Sequence, residues 1–419
     1  MKRFSILALL VCALSLNACA QWYLFPGKKK QADTTKVDSM RNYRPDSVAK
    51  QAPTAPQDSV AKQAPTAPQD SVLTEEAPAV DSPFELDIPG VVRIGLVLPL
   101  QASTQKPSEN FLDFYSGALL ALRELGGTGL QADLQVYDAA DSKAGIPQSL
   151  IDESDVIIGP VSYDELERTA EQCHGKVLIS PLEPRAAALT ATGAVVQAPS
   201  GWSAQVDELV RWVREDLPFG DVLYVVRDSV ALTPDGQAAY LIEQLQAHGV
   251  RYQSVRSVEE LPLDKPGKIR VTVASDQDGF NTNAVRGLGI EGARGGNIIF
   301  YGTARMRTNG TSQTDLHNTE AHMALSYFID YDDPAVRQFV LAYRSLFQGE
   351  PGSFAFQGYD TTHYFVTMCA KYGRQWYKKL DEYGEKGLQA DFRFREEPAR
   401  INQAARRVVY KRDLSTERR

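Results

Sequence analysis

Short apolar runs alternate with amphipathic stretches over most of the chain, and this alternation predicts strands and helices in turn. Val156 to Ile158 and Val177 to Ile179 are apolar, largely β-branched runs of the kind that form buried strands. Between them, Val161-Ser162-Tyr163-Asp164 opens a polar stretch that predicts a short helix. A strand, a helix and a second strand make a βαβ unit, which is almost always right-handed and belongs to a parallel sheet.

The same alternation of predicted strands and helices continues on both sides of this βαβ unit. Val91 to Leu100 predicts a buried first strand. The helix predicted after it has apolar positions at helical spacing, namely Phe111, Phe114, Tyr115, Ala118, Leu119, Leu122 and Leu125. A second run begins after Pro199, with strands predicted at Asp221 to Val226 and Ile269 to Ala274. We therefore expect an α/β fold with two doubly wound lobes.

Hydroxyl groups lie at the ends of both strands of the βαβ unit. Ile158 is followed by Gly159-Pro160 and then Ser162, and Ile179 is followed by Ser180-Pro181. Ligands of open α/β sheets bind at the carboxyl ends of the strands, so these serines indicate a possible crevice. The alternative is that each serine only caps a helix or satisfies a turn.

Two stretches resemble the type 1 periplasmic binding proteins, the leucine/isoleucine/valine-binding type of bacterial solute receptor. The first is the βαβ unit, with one strand that ends in Gly159-Pro160 and another that ends in Ile179-Ser180-Pro181. The second lies far downstream, and its order is Phe339 and Tyr343 on a helix, then Pro351, Phe354 to Phe356, and Gly358-Tyr359-Asp360. The resemblance concerns the fold first, because one fold hosts many functions.

The resemblance implies two lobes joined by a hinge that the chain crosses three times. The expected crossings are near residues 197–200, 326–330 and 386–389. Lobe 1 would comprise residues 91–200 and 326–386, and lobe 2 residues 201–325 and 387–413. Both tail segments, Phe392 to Phe394 and Val408 to Tyr410, would then return to lobe 2.

The resemblance also implies a set of ligand-binding residues. In amino-acid-binding members, hydroxyls and backbone groups of lobe 1 hold the α-carboxylate and the α-ammonium. Ser162, Tyr163 and Ser180 match that wall by position, and Tyr327 lies in the second expected crossing. Glu183 stands where such members carry small residues, and its charge would repel an α-carboxylate. The implied set therefore includes Glu183 but argues against ordinary amino acids.

Two classes of function remain open from these residues. The stretch Val196 to Ser200 resembles the branch that contains the penicillin-binding-protein activator lipoproteins, some of which have a closed ligand cleft. One class is thus a cell-envelope lipoprotein that acts by protein contacts or ligand sensing, in a peptidoglycan-related role. The other is the substrate-binding receptor of an ABC importer for amino acids or related small molecules. Glu183 and the long tether favour the first class.

The N-terminus predicts a lipoprotein signal peptide over residues 1–18. Lys2-Arg3 precedes the apolar run Phe4 to Leu16, which is too short to span a bilayer. Leu16-Asn17-Ala18-Cys19 resembles the bacterial lipobox, which implies cleavage before Cys19 and a lipid on its sulfur; an unlipidated signal peptide is the alternative. No acidic run follows Cys19. We expect attachment to the outer membrane, facing the periplasm.

Residues 19–88 predict a disordered tether. The segment DSVAKQAPTAPQ occurs at 46–57 and again at 58–69. Large apolar side chains are scarce between residues 31 and 88, so burial cannot offset the entropy of ordering this segment. Ser47, Ser59 and Ser71 each stand in an Asp-Ser-Val triplet that resembles an O-glycosylation signal. Low complexity produced by replication slippage is the alternative.

The net charge and the sequence motifs argue against several other kinds of binding site. The net charge of −8 and the pI of about 5.4 argue against a nucleic-acid partner. The Gly287-Leu-Gly289-Ile-Glu-Gly292 stretch matches a dinucleotide fingerprint as text, but a strand follows it instead of preceding it, so we expect a surface turn. His317, Glu320 and His322 lack the spacing of a helical zinc motif. We expect no enzyme activity, no cofactor and no metal.

The cysteines also limit the chemistry. Cys12 would leave with the signal peptide and Cys19 would carry lipid, so only Cys173 and Cys369 remain in the globular part. These two could pair in an oxidising compartment, but a single pair is not a disulfide framework.

Cys19→Ser should detach the protein from the membrane or block its maturation. Stable anchoring requires two acyl signals, and the thioether and the N-terminal acyl group both depend on this cysteine. Fractionation of cells that express the variant checks the prediction. A variant found wholly with membranes would contradict it.

Overall fold

The computed structural model describes residues 86–140, 145–230, 232–308, 310–396 and 400–419. The predicted signal peptide, Cys19, the repeats and Ser47, Ser59 and Ser71 lie outside these residues. Within them, no helix is long and apolar enough to cross a bilayer.

The first part of the described chain forms a five-stranded parallel sheet. Its strands are β1 (Val92–Leu98), β2 (Ala132–Asp138), β3 (Val156–Ile158), β4 (Leu178–Ser180) and β5 (Val195–Gln197), in the order β2-β1-β3-β4-β5. The helices between the strands are α1 (Glu109–Gly127), α2 (Gln148–Glu153), α3 (Tyr163–Gln172) and the short α4 (Ala187–Thr190). β3 and β4 are fully buried, as expected for strands covered on both faces.

A second parallel sheet follows. Its strands are β6 (Leu223–Arg227), β7 (Tyr252–Val255), β8 (Ile269–Ala274), β9 (Ile298–Thr303) and β10 (His322–Leu325). Its helices are α5 (Trp202–Asp216), α6 (Gln237–Ala247), α7 (Asp278–Ala293) and α8 (Gln313–Asn318).

The rest of the chain adds to both sheets. Helices α9 (Pro334–Phe347) and α10 (Ser353–Tyr372) pack on α1, and a small antiparallel pair follows, β11 (Glu385–Lys386) with β12 (Asp391–Phe392). Strands β13 (Arg406–Tyr410) and β14 (Thr416–Arg418) then complete the second sheet in the order β14-β13-β10-β9-β8-β6-β7. Both added strands are antiparallel to their neighbours. We call the first sheet with its helices lobe 1 and the second sheet with its helices lobe 2.

The third passage between the lobes lies later in the chain than expected. Phe392 and Phe394 pack in the core of lobe 1, where their rings stack on Tyr364 of α10 with centroids 4.4 and 5.9 Å away. Gln197 then pairs with Ile401 beside β5. The chain therefore passes to lobe 2 only just before β13. The predictions that it crosses at residues 386–389 and that Phe392 to Phe394 belongs to lobe 2 were wrong, because burial against α10 outweighs the strand pattern.

Helices α1 and α10 pack backbone against backbone. A Cβ added at Gly117 would lie 1.8 Å from the Ala355 carbonyl oxygen, and one at Gly358 would lie 2.0 Å from the Phe114 carbonyl oxygen. No side chain fits at either position, so the glycines set the distance between the two helices. This contact also fixes the position of Asp360, which lies two residues after Gly358 on α10.

The Gly287 to Gly292 stretch is not the expected surface turn, because it lies within α7. A Cβ at Gly289 would lie 2.4 Å from the Asp315 carboxylate, and one at Gly292 would lie 2.3 Å from the Asn318 carbonyl oxygen. These glycines allow α7 and α8 to approach closely, and helix packing outweighs the cost of glycine in a helix.

Cys173 and Cys369 are free thiols in separate apolar clusters, so they do not pair in this structure. Burial raises the pKa of Cys173 to about 11 and that of Cys369 to about 12, which keeps both thiols protonated and unreactive at neutral pH.

Gly358→Ala should destabilise the domain by about 2 kcal/mol or more, because its methyl group cannot fit against α1. Gly126→Ala is the matched control, since a Cβ there meets nothing within 4 Å and alanine favours a helix. Chemical denaturation of both variants checks the prediction. Equal stability of the two variants would contradict the close packing.

Candidate ligand-binding cleft

The strand ends of lobe 1 meet at one edge of the sheet. Ile158 of β3 is in register with Ile179 of β4, and the Gly159 amide donates to the Ile179 carbonyl at 2.8 Å. Gly159 has a φ of +99°, and a Cβ there would lie 2.1 Å from the Val97 carbonyl oxygen. Glycine is therefore required at this turn, which directs the chain to Ser162 and brings it to the same edge as Ser180.

Both predicted serines bond within their own turns. Ser162 is the N-cap of α3, where its Oγ accepts from the Glu165 amide at 3.4 Å and donates to the Glu165 carboxylate at 2.8 Å. Ser180 is fully buried, and its Oγ donates to the Glu183 carbonyl at 3.4 Å. A local role accounts for these bonds, so ligand binding by either serine stays a prediction.

Glu183 and Arg185 form a closed ion pair at this edge. The Glu183 carboxylate accepts from the Arg185 amide at 2.9 Å, from its Nε at 3.0 Å and from its Nη2 at 2.9 Å. The Glu183 side chain is 12% exposed, whereas that of Arg185 is 65% exposed. Burial would raise the pKa of Glu183, but the hydrogen bonds and charge of Arg185 outweigh it and hold the pKa below its usual value.

The ion pair of Glu183 with Arg185 changes the charge that a ligand would meet at this edge of the sheet. The Arg185 guanidinium lies over the Tyr163 ring, 5.2 Å from its centroid. Tyr163, Glu183 and Arg185 thus form one cluster in which the negative charge of Glu183 is already compensated. Sequence reasoning missed Arg185, although its position two residues after a helix-capping glutamate is the signal that could have found it.

A hydroxyl network joins the first two crossings. The Ser200 Oγ donates to the Ser326 Oγ at 2.8 Å, and the Gln205 Nε2 donates to the same oxygen at 2.8 Å. The Ser326 Oγ donates in turn to the Ser200 carbonyl at 2.9 Å. Tyr327 follows directly and is half-buried. Tyr327 therefore lies at the hinge. Burial and the charge of Asp360 raise the pKa of its hydroxyl above the ordinary tyrosine value, so the hydroxyl stays protonated at neutral pH.

Asp360, of the Gly358-Tyr359-Asp360 motif, holds the segment that approaches the hinge after α10. Its carboxylate accepts from the amides of Leu388, Gln389 and Ala390 at 2.6, 2.8 and 2.9 Å. Burial raises its pKa to about 6, although the three amides and Arg406 oppose the shift. The carboxylate thus fixes residues 388–390 through hydrogen bonds to their backbone amides.

Arg406 is the buried cation of the hinge. Its side chain is 0% exposed and donates to the carbonyls of Phe328, Gly387 and Leu388 at 2.5, 2.5 and 2.9 Å. It also pairs with the Asp391 carboxylate at 2.7 Å, as Arg418 of β14 does at 2.8 Å. One guanidinium at the end of the third crossing therefore ties it to the second crossing, through Phe328, and to the segment after α10.

Two small cavities each lie within a single lobe. One, of about 10 Å³, is at the carboxyl edge of the lobe 2 sheet beside Gln237, Thr303 and Arg305. The other, of about 50 Å³, lies in lobe 1 between Tyr137 and Arg168. Neither is lined by the predicted ligand-binding residues, and both are far smaller than pockets that enclose a small-molecule ligand.

The histidine-rich stretch serves structural roles. His317 bonds the Lys411 carbonyl through Nδ1 at 2.7 Å, and His322 stacks on Trp212 with ring centroids 4.5 Å apart. Burial lowers the pKa of His322 to about 4, although the nearby Asp216 opposes this, so His322 is neutral at physiological pH. Across the residues that the structure describes, no cluster of His, Cys, Asp and Glu is arranged to hold a metal ion.

One parallel sheet and one mostly parallel sheet, joined by three crossings, are the architecture of the type 1 periplasmic binding proteins. No family model and no curated protein matches the chain. Solved structures, in contrast, match the chain in fold. A protein from Rhodospirillum rubrum, assigned as a branched-chain amino acid ABC transporter, is 17% identical with a TM-score of 0.54, and the match covers 78% of this chain and 100% of that one. The predicted fold is thereby confirmed.

LpoA of Haemophilus influenzae has the same fold in part of its length. The full-length protein is 12% identical with a TM-score of 0.50, and the match covers 80% of this chain and 60% of that one. Its C-domain, described as a regulator of PBP1A, is 12% identical with a TM-score of 0.48 over 78% of this chain and 99% of that one. At these levels of identity the likeness shows the fold alone.

Arg185→Ala should lower the melting temperature at pH 7 by about 2 °C, because a largely buried Glu183 carboxylate then loses its cation. The lowered pKa of Glu183 stabilises the wild type above about pH 4.5, and this contribution disappears as the pH falls through the folded pKa. The difference in melting temperature should therefore shrink in acid.

The double variant Glu183→Gln/Arg185→Ala is the control, since it leaves no unpaired charge. It should melt closer to the wild type at pH 7 than the single variant does. A single-variant defect that is independent of pH would contradict the ion-pair account.

Proposed function

We propose that the protein is a non-catalytic lipoprotein of the bacterial envelope that acts through protein contacts of its two-lobed domain, in peptidoglycan synthesis. The lipid on Cys19 would hold it at the outer membrane, facing the periplasm, and residues 19–88 would serve as the tether. The lipobox and the length of the tether support this placement.

The ion pair of Glu183 with Arg185 carries the proposal. An amino-acid receptor needs free donors for the ligand's α-carboxylate at the carboxyl edge of lobe 1. Here the guanidinium at that edge is already bonded to Glu183, and the hydroxyls of Ser162 and Ser180 bond within their own turns. A ligand carboxylate would have to displace Glu183 and leave it partly buried without a partner, which costs free energy.

The regulator LpoA lends support by analogy of fold. LpoA regulates PBP1A, so a domain of this architecture can serve an envelope enzyme without being one. Analogy of fold supports the class of function and names no partner for this chain.

A substrate-binding receptor of an ABC importer is the second candidate. Its support is the match to the Rhodospirillum rubrum protein over the full length of that protein. Tyr163, Ser180 and Tyr327 would then line the ligand site. On this alternative, the Glu183 to Arg185 pair would open when a ligand binds.

Thermal melting with each free amino acid separates the two candidates. A ligand at a hundredfold excess over its Kd adds about 2.7 kcal/mol to the native state, which should raise the melting temperature by several degrees. We expect no such rise. A clear rise with leucine, valine or another amino acid would overturn the proposal and favour the importer receptor.

A second measurement tests the positive claim. Glycan polymerisation by a bifunctional penicillin-binding protein from the same bacterium should be faster with this protein than without it. The Gly358→Ala variant, if destabilised as expected, should stimulate less at temperatures near its melting point. Equal rates with and without the wild type would count against the peptidoglycan role.

A further inference from the structure

A cluster of arginines lies where α5 of lobe 2 meets the segment that leaves the lobe 1 core. The carboxylate of Glu208 on α5 accepts from the Arg407 Nε at 2.7 Å, from the Arg211 Nη2 at 2.7 Å and from the Arg393 Nη2 at 3.4 Å. Arg407 also pairs with Glu215, one Nη2 bond measuring 3.0 Å. Three guanidiniums thus share one carboxylate that is only 6% exposed.

Arg395 belongs to the same cluster. Along the extended segment after β12, Phe392 and Phe394 point into the lobe 1 core, so Arg393 and Arg395 point outward on the same side. Burial lowers the pKa of Arg211, and the charges of Arg393, Arg395 and Arg407 lower it further against the opposing effect of Glu208. Arg395 donates no hydrogen bond and forms no ion pair to any residue that the structure describes, so its five N–H groups face solvent.

The cluster is positive although the chain as a whole is acidic. Arg211, Arg393 and Arg407 share the carboxylates of Glu208 and Glu215. Arg395 adds a fourth guanidinium and Glu396 a third carboxylate, so these described residues carry an excess of one positive charge. Glu396 follows Arg395 and is exposed, but it pairs with none of the arginines. The excess lies on a protein with a net charge of −8, so it is a local feature and not a consequence of composition.

The donor geometry fits carboxylates. Guanidinium groups bind carboxylates through paired, charge-assisted N–H bonds. Glu208 demonstrates this chemistry at the centre of the cluster. Arg211 and Arg393 are 31% and 44% exposed, so each presents N–H groups to solvent beyond those that bond Glu208.

The open shape of the cluster favours an extended acidic segment over a small ion. The arginines come from α5, from β13 and from the segment after β12, and they lie on the surface instead of lining a cavity. A single small anion would contact few of them and stay hydrated. A peptide with several carboxylates could contact Arg393, Arg395 and the exposed part of Arg211. Arg407 already bonds Glu208 and Glu215, so it would contribute mainly through its charge. Electrostatic attraction would also speed the encounter of the peptide with the surface.

We propose that Arg211, Arg393, Arg395 and Arg407 form a docking surface for an acidic, carboxylate-rich peptide segment of a partner protein. The proposal rests on the proposed function, because it specifies the chemistry of the protein contact. Arg393 and Arg395 follow the lobe 1 core while Arg211 and Arg407 belong to lobe 2, so a docked segment would bridge the lobes.

Binding of a fluorescent hexaglutamate peptide to the full-length protein tests the proposal, with anisotropy as the readout at low salt. Arg395→Glu should weaken binding by about tenfold, because a cation that contacts the peptide becomes a repelling charge. Its side chain makes no bond to other described residues, so the fold should be unaffected. Arg123→Glu is the matched control, since Arg123 is exposed on α1 and the change in net charge is the same.

The expected outcome is a loss of binding for Arg395→Glu and a change of less than about twofold for Arg123→Glu. Equal losses for the two variants would show that only net charge matters and would overturn the proposal. Absence of peptide binding to the wild type, or binding of pyrophosphate instead, would overturn it as well. The amino-acid melting experiment does not involve these arginines, so the proposed function and the docking surface can fail separately.

Discussion

The buried guanidinium of Arg406 is the constraint on which the hinge depends. A buried charged group needs protein partners for its N–H donors, because solvent cannot reach them. Removing one partner of a buried ion pair typically costs about 3–5 kcal/mol of folding free energy. The carbonyls of Phe328, Gly387 and Leu388, with the carboxylate of Asp391, supply the partners. Since Phe328 lies in the second crossing and the other partners lie on the segment after α10, the fold can bury Arg406 only when these parts of the chain are assembled together.

This requirement connects the end of the chain to the hinge. Arg406 is the first residue of β13, and Arg418 of β14 shares the Asp391 carboxylate with it. Asp360 fixes the neighbouring backbone from the α10 side through three amide bonds. Contacts from both lobes therefore hold the backbone of the hinge region.

Local patterns in the sequence were enough to predict the two sheets, the helix of the βαβ unit, and the placement of Ser162 and Ser180 at the ends of neighbouring strands. These features depend on the period of apolar residues and on turn glycines, which are read within a few positions. The route of Phe392 and Phe394 was mispredicted, because it depends on stacking against Tyr364, which is remote in sequence.

Charged groups were the least predictable part of the site. Glu183 was expected to repel a ligand, but its effect depends on Arg185, whose side chain folds back onto it. The arginines around Glu208 are likewise scattered in sequence and gather only when both lobes are in place. Pairing between charges is set by tertiary geometry, so a single sequence gives the residue types but not their partners.

A distance measurement between the lobes tests the central claim, that the domain does not close on an amino acid. Glu167→Cys on α3 and Glu243→Cys on α6 provide exposed spin-label sites, while Cys173 and Cys369 are buried. Pulsed electron paramagnetic resonance would give the distance distribution with and without a mixture of free amino acids. We predict identical distributions. A shift to shorter distances on addition of amino acids would contradict the account.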